Sequence, residues 1–460
     1  MTNPTNAVPL DEGSRAWLAT AGLRYALVDS GDSAEYDRWL QADHRGFHFD
    51  ALTVEQLAEY RLGLAGTRLI GVWDATAAEP ESPIATVGSW RSSVSLLDGE
   101  NLEAWAISAV SVAATHRRRG IASALLEGEL RAAHAAGVPV AALTVSEATI
   151  YGRWGFGPAA YTADYRIDTR GLRLTAALPS GRVHRVSTAA LRASAPGIAE
   201  RSHERTAGEV PVDALRWNRM FAISARTADH ARRLRAARYD NAEGEPQGFV
   251  LYSLAEAPAD FAAHTLTVEY FCAATDDAYV ALWHYVLDQD LVSTVVASLR
   301  PVDELLPWLV SNPRAVQTTE RREHLWLRIL DVSAALGARR FAHAETVLLR
   351  VSDPLGFAEG EWMLVTDGDG RATITAAPSD SSSGASSNAS SGASASAAKV
   401  TLEPAIIELG VEALGALLLG GTPVEALRLA GRLVEGTPGS AQRIDALVHT
   451  SRAPHLSTWF

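Results

Sequence analysis

Cysteine is nearly absent from this chain of 460 residues, in which Cys272 is the single example. A lone cysteine excludes an intrachain disulfide and a thiolate metal cluster, and its place in the aromatic run VEYFCAA predicts a buried core position. Long apolar runs are also missing, since no stretch reaches the roughly 18 residues that cross a bilayer. The first residues, MTNPTNAVPLDEGSRAW, lack the basic and then apolar order of a signal peptide. We therefore expect a cytoplasmic protein with no membrane partner.

Positive charge is scarce as well. The chain has 41 Lys and Arg against 54 Asp and Glu, which gives a formal net charge of -13. This balance disfavours nucleic acid and anionic membranes as partners and is compatible with cationic small molecules as substrates. The arginines Arg117–Arg119 form a local patch and not a basic face, so they do not predict nucleic-acid binding. The length and the 47% hydrophobic content suffice for the cores of about two to four domains.

A strand, a basic turn and a helix follow one another in the first third of the chain. Alternation over Ala106–Ala113 predicts the strand, and the turn THRRRG leads into a helix that starts at Ile121. The amide groups of a first helical turn attract an anion, and Gly120 lets a phosphate approach the backbone. The apolar run Val140–Ser146 predicts a central strand. This order suits a cofactor that carries phosphate. The predicted buried stripe of the helix consists of Ala122, Leu126, Leu130 and Ala133.

The residues before this unit also indicate an α/β pattern. The pattern predicts helices over Ala34–Ala42 and Thr53–Gly63, a capping box of Thr53 and Gln56, and strands over Leu69–Asp74 and Ile84–Trp90. Between the helices, HRGFH places histidines at positions 44 and 48. No third ligand is nearby and Gly46 argues against a continuous helix, so a metal site is disfavoured. A loop that lines a substrate pocket is favoured, with Trp39, Phe47 and His48 as candidates.

A second α/β run begins at Val183, after a boundary at Leu178–Gly181. The predicted elements are a helix over Asp213–Phe221, strands over Gly248–Leu254 and Thr265–Ala273, a helix over Asp277–Leu287 and a strand over Ser293–Leu299. Their order echoes the first unit. None of these strands is followed by a basic glycine turn, so we expect a related fold without a cofactor loop.

The character of the sequence changes again from about residue 320. A helix in DVSAALGARRF precedes two strands joined at Asp367–Gly370, which is typical of a hairpin and lacks the later glutamate of a calcium loop. The segment Ser379–Ala398 has no apolar side chain larger than Ala, which predicts a disordered insertion. Strand and helix runs follow. We expect three domains: residues 1–175, 176–319 and 320–460, with the insertion at 379–398.

Several motifs resemble those of a known enzyme family. The spacing R-x-x-G-x-A, formed by Arg117, Gly120 and Ala122, resembles the coenzyme A pyrophosphate loop of the GNAT superfamily of N-acetyltransferases. Ser146 and Glu147, followed by IYGRWGFG from Ile150, strengthen the resemblance. With LWLRI and the AAL-AR run from Ala334 to His343 added, the whole chain resembles the enhanced intracellular survival N-acetyltransferase family.

The resemblance implies the fold class α/β (α+β), with tandem GNAT folds, the second degenerate, followed by a sterol-carrier-like α+β domain. It also implies a homohexamer, acetyl-CoA as cosubstrate and no metal. The implied reaction is acetylation of amines on cationic compounds such as aminoglycosides and polyamines, or on lysine side chains. The alternative from another class is a lipid or sterol carrier with a vestigial acetyltransferase domain, which the apolar run Ile406–Leu419 favours.

The family's functional residues fall on defined positions of this chain. The implied acetyl-CoA contacts are Val110, Ser111, Val112, Arg118, Arg119, Gly120, Ile121, Ala122, Ser123, Ser146 and Glu147. Tyr151 falls on the general acid and the carboxylate of Phe460 on the general base. A terminal carboxylate is ionised at neutral pH and accepts a proton from an amine, while a tyrosine with a pKa near 10 stays protonated and donates to the departing sulfur. The alternatives are a buried aromatic for Tyr151 and a frayed terminus for Phe460. The chain departs from the family at Ala109, where members have an aromatic, and at Trp459, where some have an acid.

Overall fold

The computed structural model describes residues 5, 7–257, 260–377 and 403–460. The predicted insertion at 379–398 lies outside these residues. The strands are β1 (Leu23–Leu27), β2 (Arg68–Asp74), β3 (Ala85–Ser95), β4 (Asn101–Val112), β5 (Val140–Thr144), β6 (Gly157–Asp168), β7 (Arg182–Val186), β8 (Arg235–Asp240), β9 (Pro246–Ala255), β10 (His264–Ala273), β11 (Val292–Arg300), β12 (Val316–Ile329), β13 (Glu345–Ser352), β14 (Gly360–Thr366), β15 (Ala372–Ala376), β16 (Ala405–Gly410) and β17 (Leu433–Glu435).

The helices are distributed over the whole described chain. They are α1 (Glu12–Thr20), α2 (Ser33–Gly46), α3 (Val54–Gly63), α4 (Ile121–Ala135), α5 (Thr188–His203), α6 (Ala214–Met220), α7 (Ala228–Ala231), α8 (Asp276–Leu287), α9 (Leu306–Leu309), α10 (Val332–Ala338), α11 (Val411–Leu417), α12 (Val424–Leu429) and α13 (Ser440–Val448). Within the described residues, none of them has the length and apolar character needed to cross a bilayer.

Twelve strands form one continuous sheet in the order β1-β2-β3-β4-β5-β12-β6-β11-β10-β9-β8-β7. The two halves repeat one plan, because β4 and β5 are parallel in the first half and β10 and β11 are parallel in the second. The halves exchange their last strands: β12 pairs with β5, and β6 pairs with β11. The predicted boundary at residue 320 falls inside β12, a strand of this large sheet.

Helix α4 packs its apolar face against the first half of the sheet. The buried face is wider than the predicted stripe, because Leu125 and Glu129 are fully buried while Ala122 is only half-buried. Glu129 accepts hydrogen bonds from Arg68 Nε at 3.2 Å and from Trp105 Nε1 at 3.3 Å. A buried charge requires such partners, since an unpaired one costs several kcal/mol. The contact therefore fixes α4 against the sheet.

Helix α2 extends beyond the predicted range Ala34–Ala42 and ends at Gly46. His48 lies outside the helix with a φ of 60°, so the expectation that HRGFH is not a continuous helix is confirmed. A side chain at Gly46 would place its Cβ 2.5 Å from Ser111 Cβ, so this glycine permits a close approach of α2 to β4. His44 bonds Tyr60 Oη at 3.0 Å and packs against the ring of Phe49. The histidine therefore has a packing role. The predicted capping box of Thr53 and Gln56 at the start of α3 is confirmed.

The elements predicted in the second half are present as α6, β9, β10, α8 and β11, and Cys272 is buried as expected. Helix α5 was not predicted. Its sequence contains Pro196 followed by Gly197, a pair that is typical of a helix break.

A second sheet in the order β15-β14-β13-β16-β17 forms the third unit. The predicted hairpin is confirmed, since β14 and β15 are antiparallel across the turn at residues 367–370. Helix α11 rests on the large sheet through two glycines. A Cβ at Gly157 would lie 1.8 Å from the Glu412 oxygen, and one at Gly415 would lie 2.5 Å from the Leu327 oxygen. The third unit is therefore packed tightly against β6 and β12.

Candidate active site

A cleft opens between β4 and β5. The two strands pair through three residue pairs that end at Ala106 and Ala142, although β4 continues to Val112 and β5 to Thr144. The cause lies in β4, where Ala109 has a φ of 54° and the register against β3 shifts. A bulge of this kind bends a strand away from its neighbour. The backbone groups beyond Ala106 on this side are therefore available to a ligand.

The start of α4 follows the end of β4 through the basic turn. Gly120 is its N-cap residue with a φ of 75°, and within the described residues no side chain caps the helix. The first turn, which begins Ile121-Ala122-Ser123, contains no acidic residue. Arg118 adopts a φ of 60°, and Arg118 and Arg119 are exposed. Free amides, a helix dipole and two arginines make a site that accepts a pyrophosphate. The residues present therefore fit acetyl-CoA.

The equivalent helix of the second half lacks these properties. Thr275 caps α8 by accepting a hydrogen bond from Ala278 N, and Asp276 and Asp277 occupy its first turn. Asp276 is in turn paired with Arg205 at 2.6 Å. A capped and acidic helix start repels an anion. The start of α8 is therefore unsuited to the phosphate groups that the start of α4 can accept.

A cavity of about 440 Å³ lies at the inner end of the cleft. Of the residues predicted for the site, it is lined by Val110, Ser146, Tyr151 and Phe460. Ser111 and Val112 line a neighbouring cavity of about 660 Å³. The three predicted pocket residues divide in the same way: Trp39 and Phe47 line the 440 Å³ cavity, whereas His48 lines the other one. Glu147 is exposed beyond the end of β5.

Tyr151 occupies a short helical turn that runs to Trp154. Its side chain is 6% exposed and packs against the rings of Trp154 and Phe156. Burial raises the pKa of Tyr151 to about 12, and the negative charge of Glu147 adds to the effect. The hydroxyl therefore keeps its proton through neutral and mildly alkaline pH, as a proton donor must.

After α13 the chain returns from the third unit to the large sheet. Ser457 donates to Glu209 through both its backbone N–H, at 3.1 Å, and its hydroxyl, at 2.9 Å. The His324 ring then donates through Nε2 to the Thr458 carbonyl at 2.8 Å. Glu209 and His324 are both buried. These contacts hold the last residues along a defined path across the second half into the first.

Phe460 ends that path inside the cavity. A terminal oxygen of Phe460 accepts a hydrogen bond from Thr144 Oγ1 at 2.7 Å, at the end of β5. The Phe460 ring meets the edge of Trp90 with centroids 5.8 Å apart. Phe460 therefore lies beside the cleft and lines the same cavity as Tyr151.

Comparison with known proteins agrees with this architecture. The Acetyltransferase (GNAT) domain family matches twice, over residues 28–159 and 208–329, and the Sterol carrier protein domain family matches residues 332–457. The chain is 31% identical over 443 residues to an uncharacterized N-acetyltransferase of Streptomyces griseus, which covers 94% of this chain and 98% of the relative. It is 32% identical over 348 residues to N-acetyltransferase Eis of Mycobacterium tuberculosis, which covers 74% of this chain and 76% of that protein. The chain belongs to the Eis family of GNAT N-acetyltransferases.

A solved structure supports the same assignment. Eis1 from Mycobacterium abscessus superimposes with a TM-score of 0.76 and 27% identity, over 95% of this chain and 100% of that one. The predicted fold class is thus confirmed: two GNAT domains precede a sterol-carrier-like domain. Eis-family members are acetyltransferases, and GNAT domains use acetyl-CoA as cosubstrate.

Sequence reasoning missed several residues of this Eis-family site. Thr144 follows directly from the buried strand, but nothing marked its hydroxyl as a partner of the C-terminus. The other missed residues line the cavity with charge: Asp43, Asp213, Arg216, Arg219 and Arg226. One signal was available, because ALRWNRM places Arg216 and Arg219 three residues apart on one face of a helix.

Proposed function

We propose that this Eis-family chain transfers the acetyl group of acetyl-CoA to the amine of a substrate bound in the 440 Å³ cavity. One observation supports the proposal: Tyr151 and Phe460, whose backbone oxygen accepts a hydrogen bond from Thr144, line the same cavity beside the cleft. The residues that would hold acetyl-CoA are those at 110–112, 118–123, 146 and 147. When bound, acetyl-CoA supplies an acetyl thioester.

The chain's own groups would manage the protons. The Phe460 carboxylate, as an α-carboxyl group with an ordinary pKa near 3.5, is ionised at neutral pH and accepts a proton from the ammonium form of the substrate. Thr144 Oγ1 orients the carboxylate through the 2.7 Å hydrogen bond. Tyr151, whose pKa is about 12, holds a proton for the sulfur that departs. Base and acid would thus come from segments that are far apart in the chain.

The experiment that tests this function uses the native C-terminus. Calorimetric titration with acetyl-CoA comes first, followed by a thiol-release assay across a panel that includes an aminoglycoside, a polyamine and a lysine peptide, the substrates that the sequence predicts. A variant with one glycine added after Phe460 moves the carboxylate by about 3.5 Å and should lose most turnover while acetyl-CoA still binds. A glycine added at the N-terminus is the matched control. Equal turnover in the native and extended chains would remove the terminal carboxylate from the mechanism.

The lipid-carrier alternative receives little support from the third unit. Its internal cavity among the described residues measures about 30 Å³, whereas small-molecule sites span about 300–1,000 Å³. The apolar run at 406–419 instead packs as β16 and α11 in the core. The Arg339 guanidinium donates to the carbonyls of Leu418 and Val448 across this core. A sterol would have to displace it.

Two further expectations belong to this proposal. The first is the division into a catalytic domain at 1–175, a degenerate domain at 176–319 and a sterol-carrier-like domain at 320–460, with β12 contributed to the large sheet. The second is assembly as a homohexamer, which light scattering of the purified chain would test directly.

A further inference from the structure

The cavity that receives Phe460 is lined by three arginines, although the chain as a whole is acidic. Arg216 and Arg219 lie on α6, and Arg226 follows in the next turn of the chain. Arg216 is neutralised, because its Nη1 lies 2.8 Å from Asp213 Oδ2. Arg219 and Arg226 have no such ion pair among the described residues.

Arg219 is held by an aromatic ring. Its guanidinium carbon lies 4.2 Å from the centroid of the Tyr60 ring. Its Nε and Nη2 are buried and have no hydrogen-bond partner among the described residues. A buried guanidinium without partners is costly, because each desolvated donor loses its bonds to water. The side chain thus has unused capacity for an acceptor.

Arg226 is positioned by the same tyrosine. Its Nη1 donates to Tyr60 Oη at 2.9 Å, and its guanidinium lies 4.9 Å from the centroid of Phe49. Tyr60 is fixed in turn by His44 Nε2 at 3.0 Å. Both arginines are therefore oriented by neutral rings, and neither forms an ion pair with a carboxylate of the described residues within 4.0 Å.

The acidic groups around these arginines offset their charge only in part. Glu59 lies beside Arg226, where its Oε2 accepts hydrogen bonds from Ser224 Oγ at 2.9 Å and Ala225 N at 3.1 Å, but it forms no ion pair with either arginine among the described residues. Asp213 is committed to Arg216, and the Phe460 carboxylate is bonded to Thr144. The remaining acid, Asp43, has an Oδ1 without a hydrogen-bond partner among the described residues. Burial raises the pKa of Asp43 to about 7, against the opposing charges of Arg219 and Arg226. At neutral pH Asp43 is therefore only partly ionised and offsets the charge of Arg219 and Arg226 only in part.

We propose that the amine acetylated by this chain also carries an oxyanion, a carboxylate or a phosphate, and that Arg219 and Arg226 bind it. The inference rests on the proposed function and names its substrate class. Planar guanidinium groups match both oxyanions through paired N–H donors. A compound with several ammonium groups would instead place like charges beside two arginines that have no ion pair within 4.0 Å among the described residues, which costs binding energy. The favoured substrates are small zwitterionic amines.

Matched substrate pairs test the proposal. Glucosamine 6-phosphate is compared with glucosamine, and lysine with cadaverine, by thiol release from acetyl-CoA with the full-length chain. In at least one pair, the member with the oxyanion should have a kcat/KM at least tenfold higher. The two pairs also distinguish phosphate from carboxylate. If glucosamine 6-phosphate and lysine are preferred in neither pair, the inference is wrong while the acetyltransferase function stands.

Arginine variants link the preference to the named residues. Arg219→Met and Arg226→Met, made singly, should each reduce the preference about tenfold through KM and leave acetyl-CoA affinity within twofold. Arg232→Met is the matched control, because this exposed arginine does not line the cavity. An unchanged preference in both cavity variants would overturn the assignment. Release of no thiol with any amine, despite acetyl-CoA binding, would contradict the proposed function itself and so is distinguishable.

Discussion

The hydroxyl of Thr144 offers the most direct test of the terminal carboxylate. Thr144→Val keeps the branched side chain of β5 but removes the donor that lies 2.7 Å from the Phe460 oxygen. A hydrogen bond to a charged group contributes about 1.5–3 kcal/mol, and about 1.4 kcal/mol corresponds to a tenfold change. If the carboxylate must be oriented to accept the amine proton, kcat/KM for the amine should therefore fall by about 10- to 100-fold.

The assay for Thr144→Val is thiol release at saturating acetyl-CoA, with the affinity for acetyl-CoA measured by calorimetry. That affinity should stay within about twofold, because Thr144 lies outside the residues predicted to hold the cosubstrate. Thr144→Ser is the matched control, since it retains a hydroxyl and should keep most of the rate. Wild-type turnover in the valine variant, with the fold intact by circular dichroism, would refute the orientation of the base.

Three further predictions concern the acid, the anion site and the C-terminal path. Tyr151→Phe should lower turnover by about 10²-fold without weakening acetyl-CoA binding, and retained turnover would exclude Tyr151 as the donor. Gly120→Val should weaken acetyl-CoA binding at least tenfold in calorimetry. The Trp17 ring lies 2.6 Å from the position of the new Cβ, so the same loss is expected in a Trp17→Ala background, where that clash is removed. Unchanged affinity would mean that the anion site lies elsewhere. Burial alone would raise the pKa of Glu209, but His203, His455 and the Ser457 N–H lower it to about 2. The ordinary pKa of this carboxyl group is 4.5, so the ionised Glu209 contributes up to about 3 kcal/mol to the free energy of unfolding above that pH. This contribution is lost as the pH falls towards 2. In urea titrations, the stability difference between wild type and Glu209→Gln should shrink from pH 5 to 3; a constant difference would contradict the linkage.

The sequence predicted those parts of the site that are contiguous in the chain. The basic turn at 117–120 and the start of α4 are local features, because a glycine with positive φ and an uncapped helix depend on adjacent residues. The same holds for the capping box at Thr53 and for the hairpin at 367–370. Gly46 ends α2 as its local pattern predicted, but its close contact with Ser111 could not be predicted, because Ser111 lies on a distant strand.

The remaining parts depend on contacts between distant segments. Arg219 and Arg226 come from the second half of the chain, and nothing in their local pattern shows that α6 lies against the cavity of the first half. The pairing of β12 with β5 is equally non-local, since periodicity predicts a strand but not its neighbour. The return of the last residues to the first half was expected only from the family resemblance, whereas the contact of Phe460 with Thr144 was not expected. The role of Phe460 as the base stays a prediction.

The exchange of β6 and β12 between the halves has a consequence for how this gene can be divided. A fragment that ends near residue 175 contains β6 but neither β11 nor β12, its two neighbours in the sheet. The complementary fragment contains β11 and β12 but lacks β6, the strand that lies between them in the sheet. Each would expose the edges of strands that are interior in the whole chain, and such edges promote aggregation. We therefore expect the fragments to be insoluble when made separately and soluble when made together, as in split-protein complementation. On this expectation, the two halves of the large sheet are not independent folding units.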